Sequence, residues 1–331
     1  MPPLLELRNV TKNFVRPLDL AARLARLAGA DVGAVVVRAL DDVSLTITQG
    51  EVVGLAGESG CGKSTLGRIA AGILQPSAGT RLWRGADMAA LAPPARHAAE
   101  LKVQMVFQDS YASLNPRMRV ADIVGEAPGV HGIDVGGDID FYVDQLLEKV
   151  GLDPAFRRRF PHQFSGGQRA RIGIARALAV KPDLLVCDEA VAALDVSVQA
   201  QVLNLFMQLR ADLDLTYLFI SHDLGVVEHL SDRVVIMYLG RIVETAAAPE
   251  LFHSANHPYT QALLAEVPTL AKRRRDFTPI KGEIPSPIAP PPGCHFHPRC
   301  PHVMERCRVE NPVFREVAPG HWSACHLNDQ I

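Results

Sequence analysis

The chain has 331 residues, of which 48% are hydrophobic, and a formal net charge of -2, so it is long enough for about two domains with a sizeable core. The near-neutral charge argues against a protein that binds nucleic acid through a basic surface. The sequence contains no apolar run of about 18 residues, and its first residues lack the pattern of a signal peptide, so we expect a cytosolic protein.

The first residues predict two half-buried strands, at 4–14 and 39–47, separated by an insert at 16–37. Apolar residues within the insert recur near helical spacing, with two arginines between them. The insert has two interpretations. It is a helix that binds a membrane surface or a partner protein, or it is an amphipathic helix packed on its own domain. We favour the second interpretation, because two arginines make a weak basic face.

A glycine-rich segment follows a strand predicted at 51–56 and precedes a helix predicted at 66–73. It matches the pattern G-x-x-x-x-G-K-[ST], which binds nucleotide phosphates at the start of a helix. The glycines let successive N–H groups converge on a phosphate, Lys63 supplies a positive charge, and the Ser64 hydroxyl is placed to ligate Mg²⁺. A merely tight turn would explain the glycines but not Lys63 and Ser64. The predicted phosphate-binding residues are Gly57, Glu58, Ser59, Gly60, Cys61, Gly62, Lys63, Ser64 and Thr65.

The pattern after this helix is typical of an α/β protein with a parallel sheet. Apolar runs at 103–107, 184–187 and 217–220 predict buried strands, and a hairpin is predicted at 232–245. The predicted helices lie at 120–127, 139–150, 168–180 and 198–213.

Polar side chains follow three of the predicted strands. Asp188 and Glu189 end one strand, while Gln108 and His222 follow two others. In a chain with a phosphate-binding loop, we expect Asp188 to hold Mg²⁺ and Glu189 to activate water as a general base. A helix-capping acidic pair is the alternative, and the preceding apolar strand disfavours it. His222 can contact a γ-phosphate and Gln108 can orient water and Mg²⁺, but either residue alone indicates little.

A second glycine-rich segment, Phe164-Ser165-Gly166-Gly167-Gln168, lies much later in the chain and precedes a predicted helix. Its hydroxyl and backbone N–H groups suit a phosphate at a helix N-terminus. The segment is too distant in sequence to belong to the first loop. The chain therefore carries what looks like two halves of a nucleotide site.

These motifs, in this order, resemble those of the ATP-binding-cassette (ABC) ATPases. The resemblance spans about residues 4–249. It implies an α/β P-loop NTPase cassette with a mixed sheet, an antiparallel β subdomain and a helical subdomain at about 109–180. The motifs that carry it are the loop from Gly57 to Thr65, Gln108, the segment from Phe164 to Gln168, Asp188 with Glu189, the loop Ala193-Leu194-Asp195, and His222.

The resemblance implies that ATP and Mg²⁺ are the cofactors and that two cassettes pair head to tail. The second glycine-rich segment of one cassette then closes over the ATP held by the first segment of the other. The resemblance implies catalytic roles for Lys63, Gln108, Glu189 and His222, and Mg²⁺ ligands at Ser64, Gln108 and Asp188. It also implies nucleotide contacts from Phe14, Ser165, Gly166, Gly167, Gln168 and Asp195, with Phe14 stacking on the adenine. Two positions depart from the family pattern, Ala190 where Pro is usual and Ala192 where Ser is usual.

The tail resembles the C-terminal extension of the oligopeptide, dipeptide and nickel importer ATPases of bacteria. The matching residues are 111–117, 195–201, 257–264 and 282–287. The resemblance implies a cassette at 1–255, an extension at 256–331, and a position on the cytoplasmic face of the membrane through integral permease subunits. It also implies a second ABC ATPase subunit, identical or homologous, and indirect dependence on an extracytoplasmic solute-binding protein.

The implied function is to power the import of peptides or related solutes, with nickel or another small solute as the alternative cargo. A soluble ABC ATPase that acts on ribosomes or DNA is a second class. It generally needs two cassettes or a long inserted coiled coil in one chain, and we find neither, so we expect no nucleic-acid partner. A redox protein with an incidental ATP site is a third class.

Four cysteines fall close to the end of the chain, at Cys294, Cys300, Cys307 and Cys325, with five, six and seventeen residues between them. In a cytosolic chain such a cluster favours a metal site over disulfides. Relatives with this pattern can hold a [4Fe-4S] cluster, and four thiolates suit either that cluster or structural Zn²⁺. Nearby histidines are alternative zinc ligands. Four thiols that bind no metal are a further alternative, because no C-x-x-C pair is present.

Overall fold

The computed structural model of the protein describes residues 3–16, 35–109, 112–266 and 282–330. The helix predicted within the insert and the Tyr111 position of the importer motif lie outside the described residues. Within those described stretches, no helix is long and apolar enough to cross a membrane.

An antiparallel sheet is built from the N-terminal strands. Its members are β1 (Leu5–Arg16), β2 (Val35–Ile47), β4 (Ala78–Trp83) and β5 (Ala86–Asp87), in the order β2-β1-β4-β5. Apolar side chains on one face of β1 and β2 are buried and most alternate positions are more exposed, as their sequence pattern predicts. Both predicted strands are confirmed, although β2 begins earlier than predicted.

A second sheet contains the apolar runs that predicted buried strands. Its strands are β3 (Val52–Ala56), β6 (Val103–Val106), β7 (Leu184–Asp188), β8 (Thr216–Ile220), β9 (Arg233–Tyr238), β10 (Arg241–Ala247), β11 (Arg315–Ala318) and β12 (His321–Ser323). They lie in the order β11-β12-β10-β9-β3-β8-β7-β6. The five from β9 to β6 run parallel, and the other three continue the sheet antiparallel. Alternate side chains of β7 and β8 enter two different core clusters, which explains their unbroken apolar runs.

Helices lie on both sides of this sheet. They are α1 (Lys63–Ala70), α2 (Pro93–Leu101), α3 (Val120–His131), α4 (Ile139–Lys149), α5 (Gly166–Leu178), α6 (Val196–Leu213), α7 (Leu224–Leu230), α8 (Ala248–Ser254) and α9 (Pro258–Glu266). The three helices α3, α4 and α5 pack on one another as a helical layer between β6 and β7 in the chain. A Cβ atom at Gly67 would lie 2.5 Å from the Cδ1 atom of Ile220, so this glycine lets α1 lie close to the sheet. The predicted helices within the described residues are confirmed, with small differences at their ends.

The C-terminal segment that follows a proline-rich stretch at 284–293 extends the sheet of the cassette. Its strand β12 pairs with β10. Phe296 from this segment packs in one core cluster with Tyr238 and Tyr259. The architecture is the α/β cassette expected from the sequence, with a mixed sheet, an antiparallel sheet, a helical layer and a C-terminal extension. The division of the chain at residue 256 stays a prediction.

Candidate active site

The first glycine-rich segment forms the loop between β3 and α1. Its backbone is compact because Gly57 and Gly62 have φ angles of 148° and 108°, values that side chains disfavour. A Cβ atom at Gly57 would lie 2.2 Å from the carbonyl oxygen of Met237, and one at Gly62 would lie 2.4 Å from that of Ala39. Glycine is therefore required at both positions, and the sequence places α1 directly after the loop, with its first N–H groups at the loop's end.

The Lys63 side chain is buried inside this loop. Its Nζ atom donates to the carbonyl oxygens of Gly57 at 2.7 Å and Glu58 at 3.0 Å. An ammonium group held against the loop backbone at a helix N-terminus adds its charge to that of the helix dipole. The loop therefore suits an anion with several oxygens, such as the phosphates of a nucleotide.

The loop helix and the end of β7 meet through Ser64 and Asp188. The Ser64 Oγ atom donates to Asp188 Oδ1 at 2.8 Å. Burial raises the pKa of Asp188, and the Ser64 hydrogen bond partly opposes that shift. A hydroxyl and a buried carboxylate side by side are oxygen ligands of the kind Mg²⁺ uses beside phosphates. These two residues fit the predicted metal site, because a cation there would offset the cost of burying the charged Asp188.

Three further side chains converge beside this pair from neighbouring strand ends. Gln108 follows β6, and its Nε2 atom donates to Glu189 Oε2 at 2.7 Å. His222 follows β8, and its Nδ1 atom lies 3.3 Å from Glu189 Oε1. A cleft lined by Ser64, Arg68, Gln108 and Asp188, among others, opens at this edge of the sheet.

The backbone of Glu189 is unusual. Its φ angle is 49°, in the left-handed region where residues other than glycine are uncommon. Its N–H group donates to the Ile220 carbonyl oxygen at 3.0 Å, which fixes the residue directly after β7. This bond, together with Gln108 and His222, holds the carboxylate beside Gln108, which lines the cleft. A fixed carboxylate at this position is suited to accept a proton from water.

The second glycine-rich segment lies elsewhere, at the N-terminus of α5. Ser165 Oγ accepts from the Gln168 N–H group at 3.3 Å, and Gln168 Oε1 accepts from the Ser165 N–H group at 3.0 Å. This capping box starts the helix at Gly166, two residues earlier than predicted. Ser165 and Gly166 are exposed. The helix α5 packs on α3, α4, α6 and β6, whereas α1 packs on β1, β2, β7 and β8.

Two other predicted nucleotide contacts are exposed. Phe14 lies on β1, with the Lys12 Nζ atom 5.3 Å from the centre of its ring. Asp195 directly precedes α6. Their roles, like those of the other predicted site residues, stay predictions. Two further residues, Tyr259 and Arg299, contact the first loop, and nothing in the local sequence pattern links them to it.

The four C-terminal cysteines line one cavity in the extension, and none of them forms a disulfide. Burial raises the pKa of Cys294 and of Cys325 to about 11, and that of Cys300 is also raised by burial. Across the stretches that the structure describes, no three His, Cys, Asp or Glu side chains are arranged as metal ligands. The predicted [4Fe-4S] cluster or Zn²⁺ has no support from this geometry beyond the shared cavity.

Comparison with known proteins agrees with these motifs. A family model described as ABC transporter matches residues 40–192, and one described as the C-terminal region of oligopeptide/dipeptide transporters matches residues 243–307. The oligopeptide transport ATP-binding protein AppF of Bacillus subtilis (strain 168) is 48% identical over 328 residues, which are 98% of this chain and 97% of that protein.

Solved structures share the fold. The dimeric structure of MJ0796, a bacterial ABC transporter cassette, is 25% identical, has a TM-score of 0.61, and covers 74% of this chain and 98% of its own. The structure of cbiO1 from Clostridium perfringens is 24% identical, has a TM-score of 0.60, and covers 77% of this chain and 92% of its own. The structural likeness covers mainly the length of one cassette.

Proposed function

Because this chain belongs to the ABC transporter family and is an ATPase, we propose that its ATP hydrolysis powers the import of peptides through partner membrane subunits. The observation that carries the proposal is the coincidence of two features in one chain. One is the constellation of Lys63, Ser64, Asp188 and Glu189 at a single sheet edge. The other is the match of the tail to the C-terminal region of oligopeptide/dipeptide transporters.

In the proposed mechanism, the loop backbone and Lys63 bind the β- and γ-phosphates of ATP. Ser64 and Asp188 would hold Mg²⁺, which would neutralise charge on the phosphate oxygens. Glu189 accepts a proton from the attacking water as the oxygen of that water bonds to the γ-phosphorus. The bond between the γ-phosphorus and the leaving oxygen of ADP breaks in the same displacement. Gln108 and His222 hold the Glu189 carboxylate in place, and the imidazole of His222 is exposed.

The site is proposed to be complete only when a second cassette faces it. The exposure of Ser165 and Gly166 supports this proposal, because their N–H and hydroxyl groups lie at a helix N-terminus open to a partner. The solved structure of MJ0796, which shares the fold, is dimeric. ATP binding would close the two cassettes and hydrolysis would reopen them. The second cassette is either another copy of this chain or a homologous subunit.

Peptide import is proposed from the tail and from AppF, a protein named for oligopeptide transport. The chain would then lie on the cytoplasmic face of the membrane, attached through permease subunits, with the surface near Gln108 transmitting motion to them. An extracytoplasmic solute-binding protein would deliver the peptide. Co-purification of the tagged chain with the permease subunits tests this assembly, and recovery with ribosomes or DNA instead would contradict it.

The four-cysteine site is proposed as a separate structural centre. Cys294, Cys300, Cys307 and Cys325 would hold a [4Fe-4S] cluster, or Zn²⁺ in its place, and their shared cavity supports this. Metal analysis and an absorption spectrum of anaerobically purified protein test it. Protein that contains neither iron nor zinc, and shows no visible charge-transfer band, would contradict it.

A further inference from the structure

An arginine from the cysteine-rich extension reaches into the phosphate-binding loop. Arg299 lies one residue before Cys300, and its side chain is 4% exposed. Its Nη1 atom donates to Glu58 Oε2 at 2.7 Å and its Nη2 atom donates to Glu58 Oε1 at 2.9 Å. A two-bond contact between a guanidinium and a carboxylate fixes both the distance and the orientation of the carboxylate. The side chain of Glu58, the second residue of the loop, is therefore set by a residue far away in the sequence.

The backbone of Glu58 is also held by a residue from the C-terminal part of the chain. The Tyr259 hydroxyl on α9 accepts from the Glu58 N–H group at 2.9 Å, and the Tyr259 ring is fully buried. The Glu58 carbonyl oxygen in turn accepts from the Lys63 Nζ atom at 3.0 Å. One residue thus links Arg299 and Tyr259 on one side with the phosphate-binding lysine on the other.

Aromatic packing keeps Arg299 in place. Its Nη1 atom also lies 3.4 Å from the Tyr238 hydroxyl, and its guanidinium lies 5.9 Å from the centre of that ring. The rings of Tyr238, Tyr259 and Phe296 contact one another, with centres 4.6 to 5.4 Å apart. The ion pair with Glu58 raises the pKa of Arg299. A buried guanidinium without a partner destabilises the folded protein, so we expect Arg299 to keep its ion pair with Glu58.

We propose that Arg299 is a positioning residue of the ATP site: with Tyr259 it fixes Glu58, and through Glu58 it sets the loop conformation that receives the phosphates. The C-terminal extension thereby controls the affinity of the loop for ATP. This inference rests on the proposed role of the loop from Gly57 to Thr65 in binding ATP. It concerns the binding of ATP rather than the chemical step, because the side-chain hydrogen bonds of Arg299 go to Glu58 and Tyr238 and not to Gln108, Glu189 or His222.

The test compares full-length variants by their affinity for MgATP, their KM and kcat for ATP hydrolysis, and their thermal unfolding without nucleotide. Arg299→Met should weaken MgATP binding and raise KM by about tenfold, with a much smaller change in kcat. The affinity of Arg299→Lys for MgATP should lie between those of Arg299→Met and the unaltered chain, since lysine keeps the charge but loses the two-bond geometry. Glu58→Gln weakens the same contact by changing its partner in the loop and leaves the extension unaltered. It should also weaken MgATP binding.

Arg306→Met is the matched control, because Arg306 pairs with Glu310 and Asp329 inside the extension. It should leave affinity for MgATP unchanged. The double variant Arg299→Met with Glu58→Gln should bind MgATP no more weakly than Arg299→Met alone, since both changes break one contact. The inference would be overturned if Arg299→Met and Glu58→Gln each bound MgATP as tightly as the unaltered chain. It would also be overturned if the losses of affinity in the two single variants added in the double variant.

A Lys63→Ala variant separates the inference from its premise. If this variant loses MgATP binding while the Arg299 and Glu58 variants bind normally, the inference alone fails. If Lys63→Ala binds MgATP normally, the proposed site itself is wrong.

Discussion

Replacing Glu189 with glutamine should lower the rate of ATP hydrolysis severely while leaving ATP binding intact. Glutamine has nearly the same volume as glutamate, and its amide oxygen can still accept from Gln108, at present 2.7 Å from the carboxylate. Its amide group can also donate to the Nδ1 atom of His222, which in the unaltered chain lies 3.3 Å from Glu189 Oε1. The substitution therefore removes the proton acceptor without removing the hydrogen-bonding geometry.

The magnitude follows from the role assigned to the carboxylate. A positioned general base typically contributes about 10²- to 10⁴-fold to a rate, which corresponds to about 2.7 to 5.4 kcal/mol in activation free energy. We therefore expect kcat to fall by at least about a hundredfold. The dissociation constant for MgATP should change by less than about threefold, because the carboxylate does not form the phosphate-binding loop.

The assay is steady-state phosphate release beside equilibrium binding of a fluorescent ATP analogue. Glu228→Gln is the control, since Glu228 is an exposed glutamate on α7 and its replacement should alter neither quantity. Hydrolysis by Glu189→Gln at the rate of the unaltered chain would refute the general-base role. Loss of binding together with turnover would show that Glu189 acts in holding ATP instead.

Further substitutions and conditions test other parts of the account. Gly57→Ala should lower the free energy of unfolding by about 2–4 kcal/mol and abolish MgATP binding, because its Cβ atom would meet the Met237 carbonyl oxygen at 2.2 Å; thermal unfolding and binding assays check this. Gly166→Asp should leave MgATP binding by the single chain unchanged but lower the rate of hydrolysis by about 10²-fold, because its charge would repel a phosphate on the facing cassette; an unchanged rate would contradict the two-cassette site. Burial lowers the pKa of His257 to about 4, so below about pH 6.5 the unfolded chain gains a proton that the folded chain does not. The free energy of unfolding should therefore fall by up to about 3 kcal/mol as the pH drops from 6.5 to 4. Urea denaturation at several pH values measures this fall. The fall should be smaller but not absent in His257→Asn, because burial also lowers the pKa of His295 to about 4.

The sequence predicts most of the catalytic constellation because its parts are local. The loop from Gly57 to Thr65 and the pair Asp188 and Glu189 are contiguous motifs. Parallel strands bring their carboxyl ends to one edge, so Gln108 and His222 could be expected beside Glu189 once the strands were recognised. The end positions of helices were less predictable, because Ser165 caps α5 two residues earlier than the apolar pattern indicates.

The contacts of the extension with the rest of the chain could not be predicted from local patterns. The strand β12 adds to the cassette sheet through β10, a pairing between residues far apart in the chain. The contact between Arg299 and Glu58 joins residues 241 positions apart, and neither residue type nor spacing indicates it. The pairing of β10 with β12 and the packing of Phe296 help to bring these parts together.

Peptide transport by a reconstituted complex is the decisive measurement of the proposed function. The complex would contain this chain, its partner cassette and the permease subunits in lipid vesicles, with the solute-binding protein and a labelled peptide on the side opposite the cassettes. We expect peptide uptake that requires ATP and that stops when this chain carries Glu189→Gln. Peptide uptake that continues at the same rate with Glu189→Gln, or ATP hydrolysis by the complex that never moves peptide, would contradict it.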